Sequence, residues 1–261
     1  MIAVLLAVAA ALLSGAALLW ALSVRLRDAS IADVAWGPAF ALVAWLAVAV
    51  TPAPGPRALL AAGLTSLWAA RLALHLHARR RSCGGEDRRY AAMRASAGPR
   101  FAGRSLVTVF LLQAGLAFVV SLPLQAASAL GSAALLGPLD AVGVALFATG
   151  FALEALADRQ LARFRAEAAS AGAVMDRGLW RWSRHPNYFG DAVLWWGLGL
   201  LGLASGAAWS LAGPALMTLL LRRVSGVTLL ESTIGERRPG YAQYVARTSA
   251  FVPLPPRGPH R

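Results

Sequence analysis

Arg177, Arg181, Arg184, His185, Asn187, Tyr188 and Asp191 crowd into one stretch. From Gly178 to Gly190 it reads Gly-Leu-Trp-Arg-Trp-Ser-Arg-His-Pro-Asn-Tyr-Phe-Gly. Pro186 has a fixed φ and no backbone N–H, so it suits the first turn of a helix, and it pushes His185 towards extended backbone. The helix is expected to run from Asn187 through Asp191 into Trp195 and Trp196. A helix start leaves unpaired N–H groups and a partial positive charge that favour anions. The arginines beside it add full charge and planar forks that fit phosphate oxygens. The chemistry open to this stretch is to hold the phosphates of a cofactor at a membrane surface. On charge alone, a basic juxtamembrane loop drawn to anionic lipid fits equally well.

Other polar residues fall inside apolar runs, where they are costly and mark function by default. Asp33 opens one run. Arg71 and His75, Glu154 and Asp158, and Asn187 and Asp191 are spaced i, i+4, which puts each pair on one helix face. Arg165 follows Asp158 by about two turns, and Gln113 sits in the middle of another run. Together they can direct polar groups from four helices into one cavity open to the cytoplasm. The loop Glu86-Asp87-Arg88-Arg89-Tyr90 reads either as a solvated amphipathic helix or as a lid, with Arg88 or Arg89 reaching a phosphate and Tyr90 donating a proton. Near the end, Arg238-Pro239-Gly240-Tyr241 through Tyr244 and Thr248 to Pro253 suggests a short helix closing over the pocket.

No metal site is expected. His75 and His77 point to different helix faces, and neither HExxH nor CxxC occurs. There is no nucleophile elbow, and the single Cys83 excludes an internal disulfide framework.

The elements that must position these groups are set by composition. The chain has 261 residues, 58% hydrophobic and 14% charged, which calls for a bilayer. All 25 basic residues are arginine, giving a net charge of +13. They lie in short loops between apolar runs, so the positive-inside rule explains them without nucleic acid as a partner. The reading is all-α: one integral membrane domain over 1–261, with seven transmembrane helices near 2–24, 33–50, 58–78, 105–127, 139–162, 188–204 and 207–224 and a cytoplasmic tail from 225. The first run has no basic start and its arginines follow it, so it is read as a retained span. Arginines fill alternate loops and the tail, including Arg237 and Arg261, while the second-to-third loop holds only Arg57. That places the N-terminus outside and the C-terminus in the cytoplasm, in the cell inner membrane. Gly197-x-Gly199-x-x-Gly202 mimics a dinucleotide fingerprint, but it lies inside a span with no preceding strand, where glycines permit close helix packing instead.

The motifs in order are Asp33-Val-Ala-Trp36-Gly37, Leu67-Trp68-Ala-Ala-Arg71-Leu72, Glu86 to Tyr90, Glu154 to Leu161, Gly178 to Asp191, and Arg238-Pro-Gly-Tyr241 through Pro253. Together they resemble the steroid 5-alpha-reductase-like membrane proteins, in particular their bacterial branch. The resemblance implies a cytoplasm-facing NADPH site and hydride delivery to an enone. It assigns cofactor contacts to Arg71, Asp158, Arg165, Arg177, Asn187 and Asp191, with Arg184, His185, Tyr188 and Tyr244 around them. Trp36, Phe40, Trp68 and Gln113 are placed near the substrate. Phe40 stands where the steroid enzymes carry a catalytic glutamate, and Trp68 where they carry a tyrosine, so Asp33 or Tyr90 is expected to be the acid. Arg-His-Pro-x-Tyr-x-Gly is also shared with isoprenylcysteine and phospholipid methyltransferases, which bind S-adenosylmethionine. The expected function is NADPH-dependent reduction of a lipophilic enone in contact with membrane lipid, with no obligate protein partner. A membrane methyltransferase is the alternative, and a lipid- or partner-binding protein without catalysis is a third reading.

Overall fold

Within hydrocarbon every backbone N–H and C=O must be paired internally, and a helix does this within one segment. The computed structural model describes residues 1–83, 85–131, 135–167, 172–224, 227, 231, 238 and 240–257. Arg237, Pro239, Arg261 and the side chain of Cys83 lie outside the described residues. The described residues are overwhelmingly helical and form no strand; one isolated bridge joins Ser183 and Ser249.

The long helices are α1 (Ile2–Leu26), α2 (Ile31–Val50) and α3 (Pro56–Cys83). A further helical run contains α4 (Arg88–Ala97), α5 (Phe101–Ser105), a π-helical segment (Leu106–Leu111) and α6 (Leu112–Val120). Next come α7 (Leu122–Leu130), α8 (Pro138–Ala166), α9 (Pro186–Ala204) and α10 (Ala212–Leu219). Five stretches are long and apolar enough to cross a membrane: Ile2–Leu26, Ile31–Val50, Pro56–Arg81, Arg88–Val120 and Pro138–Ala166. Their outward-facing Leu6, Leu18 and Leu74 are exposed apolar surface of the kind lipid covers. The chain is a helical membrane protein.

The run expected over 105–127 breaks at Ser121, because Pro123 lacks an N–H and sits in the first turn of α7. The run expected over 207–224 is a 3-10 turn (Ala208–Leu211), then α10, then a π-helical turn (Leu220–Val224).

The chain divides into two compact units. The first comprises Met1–Asp140 and Leu200–Gly213, the second Ala141–Gly199 and the residues from Pro214 onward. In the first, Gly37 lets α2 approach α3 closely; a Cβ there would lie 3.0 Å from the Ala69 carbonyl oxygen. Phe40 and Trp68 fill the same contact, fully buried and edge to face at 5.7 Å. Arg57 and Asp140 form a buried fork at 2.7 and 2.8 Å. In the second unit α8 and α9 pack backbone to backbone through Gly150 against Gly190 and Gly143 against Gly197. Leu194, Trp195 and Leu198 are completely buried there.

Candidate functional site

Each unit carries one polar cluster. In the second unit the cluster begins on α8, where Glu154 and Asp158 are both buried one turn apart. Asn187 and Asp191 stand one turn apart on the first turns of α9. Asn187 Nδ2 donates to Asp158 Oδ1 at 3.0 Å. Its Oδ1 is buried and has no hydrogen-bond partner among the described residues. An unpaired buried acceptor is costly, so such an atom points to a donor supplied by a ligand.

The approach to Pro186 is clamped from several sides. Gly178 has φ +60, a left-handed conformation, and a side chain there would strike the Gln160 amide. That amide accepts the Leu179 N–H at 3.0 Å, and the Trp180 indole donates to the Ala157 carbonyl at 3.1 Å. Ser183, fully buried, donates to the Phe251 carbonyl at 2.8 Å and accepts the His185 N–H at 3.1 Å. The Arg184 N–H donates to Ser249 O, and the Leu254 N–H donates to Trp182 O. The Tyr244 hydroxyl, on the short helix Tyr241–Arg247, faces the carbonyls of Trp180 and Ser183 at 2.5 and 3.3 Å. His185 stacks on Tyr188 at 5.6 Å.

Arg184 forks onto Glu231 at 2.7 and 2.9 Å and donates to the Thr248 carbonyl at 2.6 Å. His185 Nε2 lies 3.0 Å from the same carboxylate. Burial pushes the Glu231 carboxyl upward, but the bonds from His185 and Arg184 outweigh it and hold it at about 2. A carboxylate lowered on folding contributes stability above its unfolded pKa and loses it as pH falls through the folded one. The melting temperature should therefore drop between pH 4.5 and about 2. Glu231→Gln should flatten that part of the profile, as a thermal scan against pH will read.

Arg177 is mostly exposed, on Glu167 at 3.1 Å and 5.4 Å from the Phe164 ring, and Arg165 is exposed at the end of α8.

In the first unit Asp33 lies in the first turn of α2. Its Oδ1 accepts the Tyr90 hydroxyl at 2.7 Å and its Oδ2 the Arg89 guanidinium at 2.7 Å. Gln113 Nε2 stands 3.5 Å from the Tyr90 hydroxyl. Tyr90 is presented by α4, whose N-cap Asp87 accepts the Arg89 N–H. Two bonds tie this turn to the α1–α2 turn: Ala29 N–H to Glu86 at 2.7 Å and Asp87 N–H to Ser30 Oγ at 2.7 Å. The Arg94 fork holds the Glu86 carboxyl below its ordinary range, against the effect of burial. Nearby small residues, among them Gly15, Ala16, Ala35 and Ala39, leave an apolar groove of about 340 Å³ that Trp36 and Gln113 also line. Phe40 and Trp68 are not among its lining residues. Arg71 lies on α3, in the first unit, and Asp158 and Asn187 belong to the second.

A family model described as "Protein of unknown function (DUF1295)" matches residues 19–248. The chain belongs to the DUF1295 family. A Schizosaccharomyces pombe protein described as uncharacterized is 26% identical over 221 residues, which cover 76% of this chain and 63% of the relative. The chain thus spans less than two thirds of that relative's length. No solved structure matches.

For this DUF1295 member, spacing singled out the pairs on α8 and α9 but not the residue that engages Arg184 and His185. Glu231 was missed. Its signal was being one of only two acids, with Glu236, in an arginine-rich tail, which calls for an ion pair. Ser183 was missed as well, because a serine carries no mark of the backbone it will bind. Among the described residues no group of three or more His, Cys, Asp or Glu is placed to hold a metal ion.

Proposed function

We propose that the chain is a seven-span inner-membrane oxidoreductase that uses NADPH to reduce the carbon–carbon double bond of a lipophilic enone, steroid-like or another lipid, as steroid 5-alpha-reductase-like proteins do. The five apolar stretches, α9 and the helical run through α10 make up the seven spans. The N-terminus is outside and the C-terminus cytoplasmic. The charge pattern supports this orientation, since Arg57, the one arginine of the expected outer loops, is neutralised by Asp140.

The observation that carries the reading is the part-buried Asp158–Asn187 hydrogen bond, with the buried Asn187 Oδ1 left unpartnered among the described residues. That oxygen suits the amide N–H of a nicotinamide, and the Asp158 and Asp191 carboxylates suit ribose hydroxyls. When bound, NADPH would supply the hydride and leave as NADP⁺. In this reading the exposed Arg165 and Arg177 meet phosphates, Arg177 by leaving Glu167. The proton completing the reduction needs an acid, and Tyr90 or Asp33 supplies it in this reading. The apolar groove beside them, with Gln113, suits a lipid bearing one polar group.

One observation favours S-adenosylmethionine instead, and with it the methyltransferase reading. Arg184 is already spent on Glu231, and a ligand without phosphates leaves that fork intact.

Thermal shift of the detergent-purified chain decides. NADPH at about 100 times its Kd should stabilise by about 2.7 kcal/mol, and Asp191→Ala should abolish that shift while the protein stays folded. A shift with S-adenosylmethionine and none with NADPH transfers the site to the methyltransferase reading. No shift with either sinks both.

A further inference from the structure

A second hollow in the second unit lies at the surface, enclosing about 910 Å³. Its walls are the 3-10 turn Gly178–Arg181, the end of the Tyr241–Arg247 helix, and the chain beyond it at Pro256 and Arg257. Arg177, Arg181, Arg247 and Arg257 line it, against one carboxylate, Asp176. Arg247 pairs with Asp176, and Arg177 leans on Glu167. The guanidinium groups of Arg181 and Arg257 have no partner among the described residues.

The hollow is built, not a chance gathering of solvated arms. The Arg257 N–H donates to the Arg247 carbonyl at 2.9 Å, and the Leu254 N–H donates to Trp182 at 3.0 Å. These bonds hold Arg257 beside Arg247 and fasten its segment next to the turn that carries Arg181. Four like charges around one cavity repel, and among the described residues only Arg247 and Arg177 have an acid as counterweight, Asp176 and Glu167. An anion with several oxygens removes that repulsion and meets planar forks able to bind it two bonds at a time. The volume suits a ligand larger than a single phosphate. Pro256 and Arg257 also lie past residue 248, where the family match ends. Half of the cavity's unpartnered charge is therefore a feature of this chain beyond the matched region.

We propose that this hollow binds a ligand carrying two or more phosphate groups, either the headgroup of a multiply phosphorylated lipid such as a cardiolipin or a free polyphosphate. It shares Arg177 with the phosphate contacts of the proposed NADPH site but includes neither Asp158 nor Asn187, and a variant at Arg181 and Arg257 leaves Arg177 in place.

The test uses the full chain and the double variant Arg181→Gln/Arg257→Gln. Neither side chain has a partner to lose among the described residues, so the variant should fold with an unchanged or slightly raised apo melting temperature. In nanodiscs of mixed cardiolipin and phosphatidylcholine, native mass spectrometry should find cardiolipin retained by the parent and lost at least about tenfold more readily from the variant. If the ligand is free, inorganic pyrophosphate should raise the parent's melting temperature in lipid-free detergent and not the variant's. The first result identifies a lipid source and the second a soluble one. Equal retention of either ligand by parent and variant overturns the proposal, as does a parent that binds neither.

Discussion

Gly190→Leu is expected to prevent the second unit from folding. Gly190 sits where α9 crosses α8 with no side chain between them. A Cβ there would lie 2.6 Å from the Glu154 nitrogen and 2.7 Å from the Gly150 carbonyl oxygen. These are backbone atoms that cannot rotate away, so the helices must separate. Overpacking against side chains costs about 1–3 kcal/mol, and a contact that can yield only by moving a helix lies at or beyond the top of that range. Separation would also pull Asn187 from Asp158 and break their part-buried hydrogen bond. Size-exclusion of detergent extracts should show little monodisperse protein for Gly190→Leu. Gly63→Ala should behave as the parent, since nothing lies within 4 Å of a Cβ at that position. A well-folded Gly190→Leu protein would refute the packing argument.

Asp140→Ala should cost about 3–5 kcal/mol, the usual consequence of leaving a buried charge without its counter-ion. Arg57 and Asp140 are each only 3% exposed. The carboxylate binds Arg57 through both oxygens and also accepts the Gly137 N–H at 2.8 Å. Arg57 Nη1 already lacks a hydrogen-bond partner among the described residues, and beyond Asp140 the guanidinium keeps only a long bond from Nη2 to the Leu135 carbonyl at 3.3 Å among those residues. Replacing both partners, Arg57→Met with Asp140→Leu, removes the charge and its counter-ion together. Most of the lost stability should return, and chemical denaturation in mild detergent will compare the two. A double variant no more stable than Asp140→Ala would mean that the pair's hydrogen bonds, rather than the stranded charge, set the cost.

The helices were readable because length and apolarity alone decide what a bilayer accepts. Pro186 marked the start of α9 because its ring admits few other places. The interruption near Ser121 was harder to see, since Pro123 lies in a uniformly apolar run and only backbone pairing reveals that the helix restarts. Spacing placed Glu154 with Asp158 and Asn187 with Asp191, because helical periodicity is local. It could not bring Asp158 to Asn187, since that contact depends on how α8 and α9 cross. The glycines that permit the crossing were visible one at a time and meaningful only as facing pairs. Asp33 and Tyr90 were each singled out without the hydrogen bond that joins them. Glu231 escaped because ion pairs across long stretches of chain leave no periodic trace.

The bonds from Ser249, Phe251 and Leu254 to Trp182, Ser183 and Arg184 set an order of events during synthesis. Ser183 waits for a carbonyl 68 positions downstream. α9 therefore emerges while the turn ahead of it still has open donors and acceptors. Only after the ribosome has read past Leu254 can that turn be closed. A stall, a premature stop or a fusion junction between residues 225 and 248 should leave an inserted protein whose Arg-His-Pro turn is never finished. Quality-control proteases should then find that turn open.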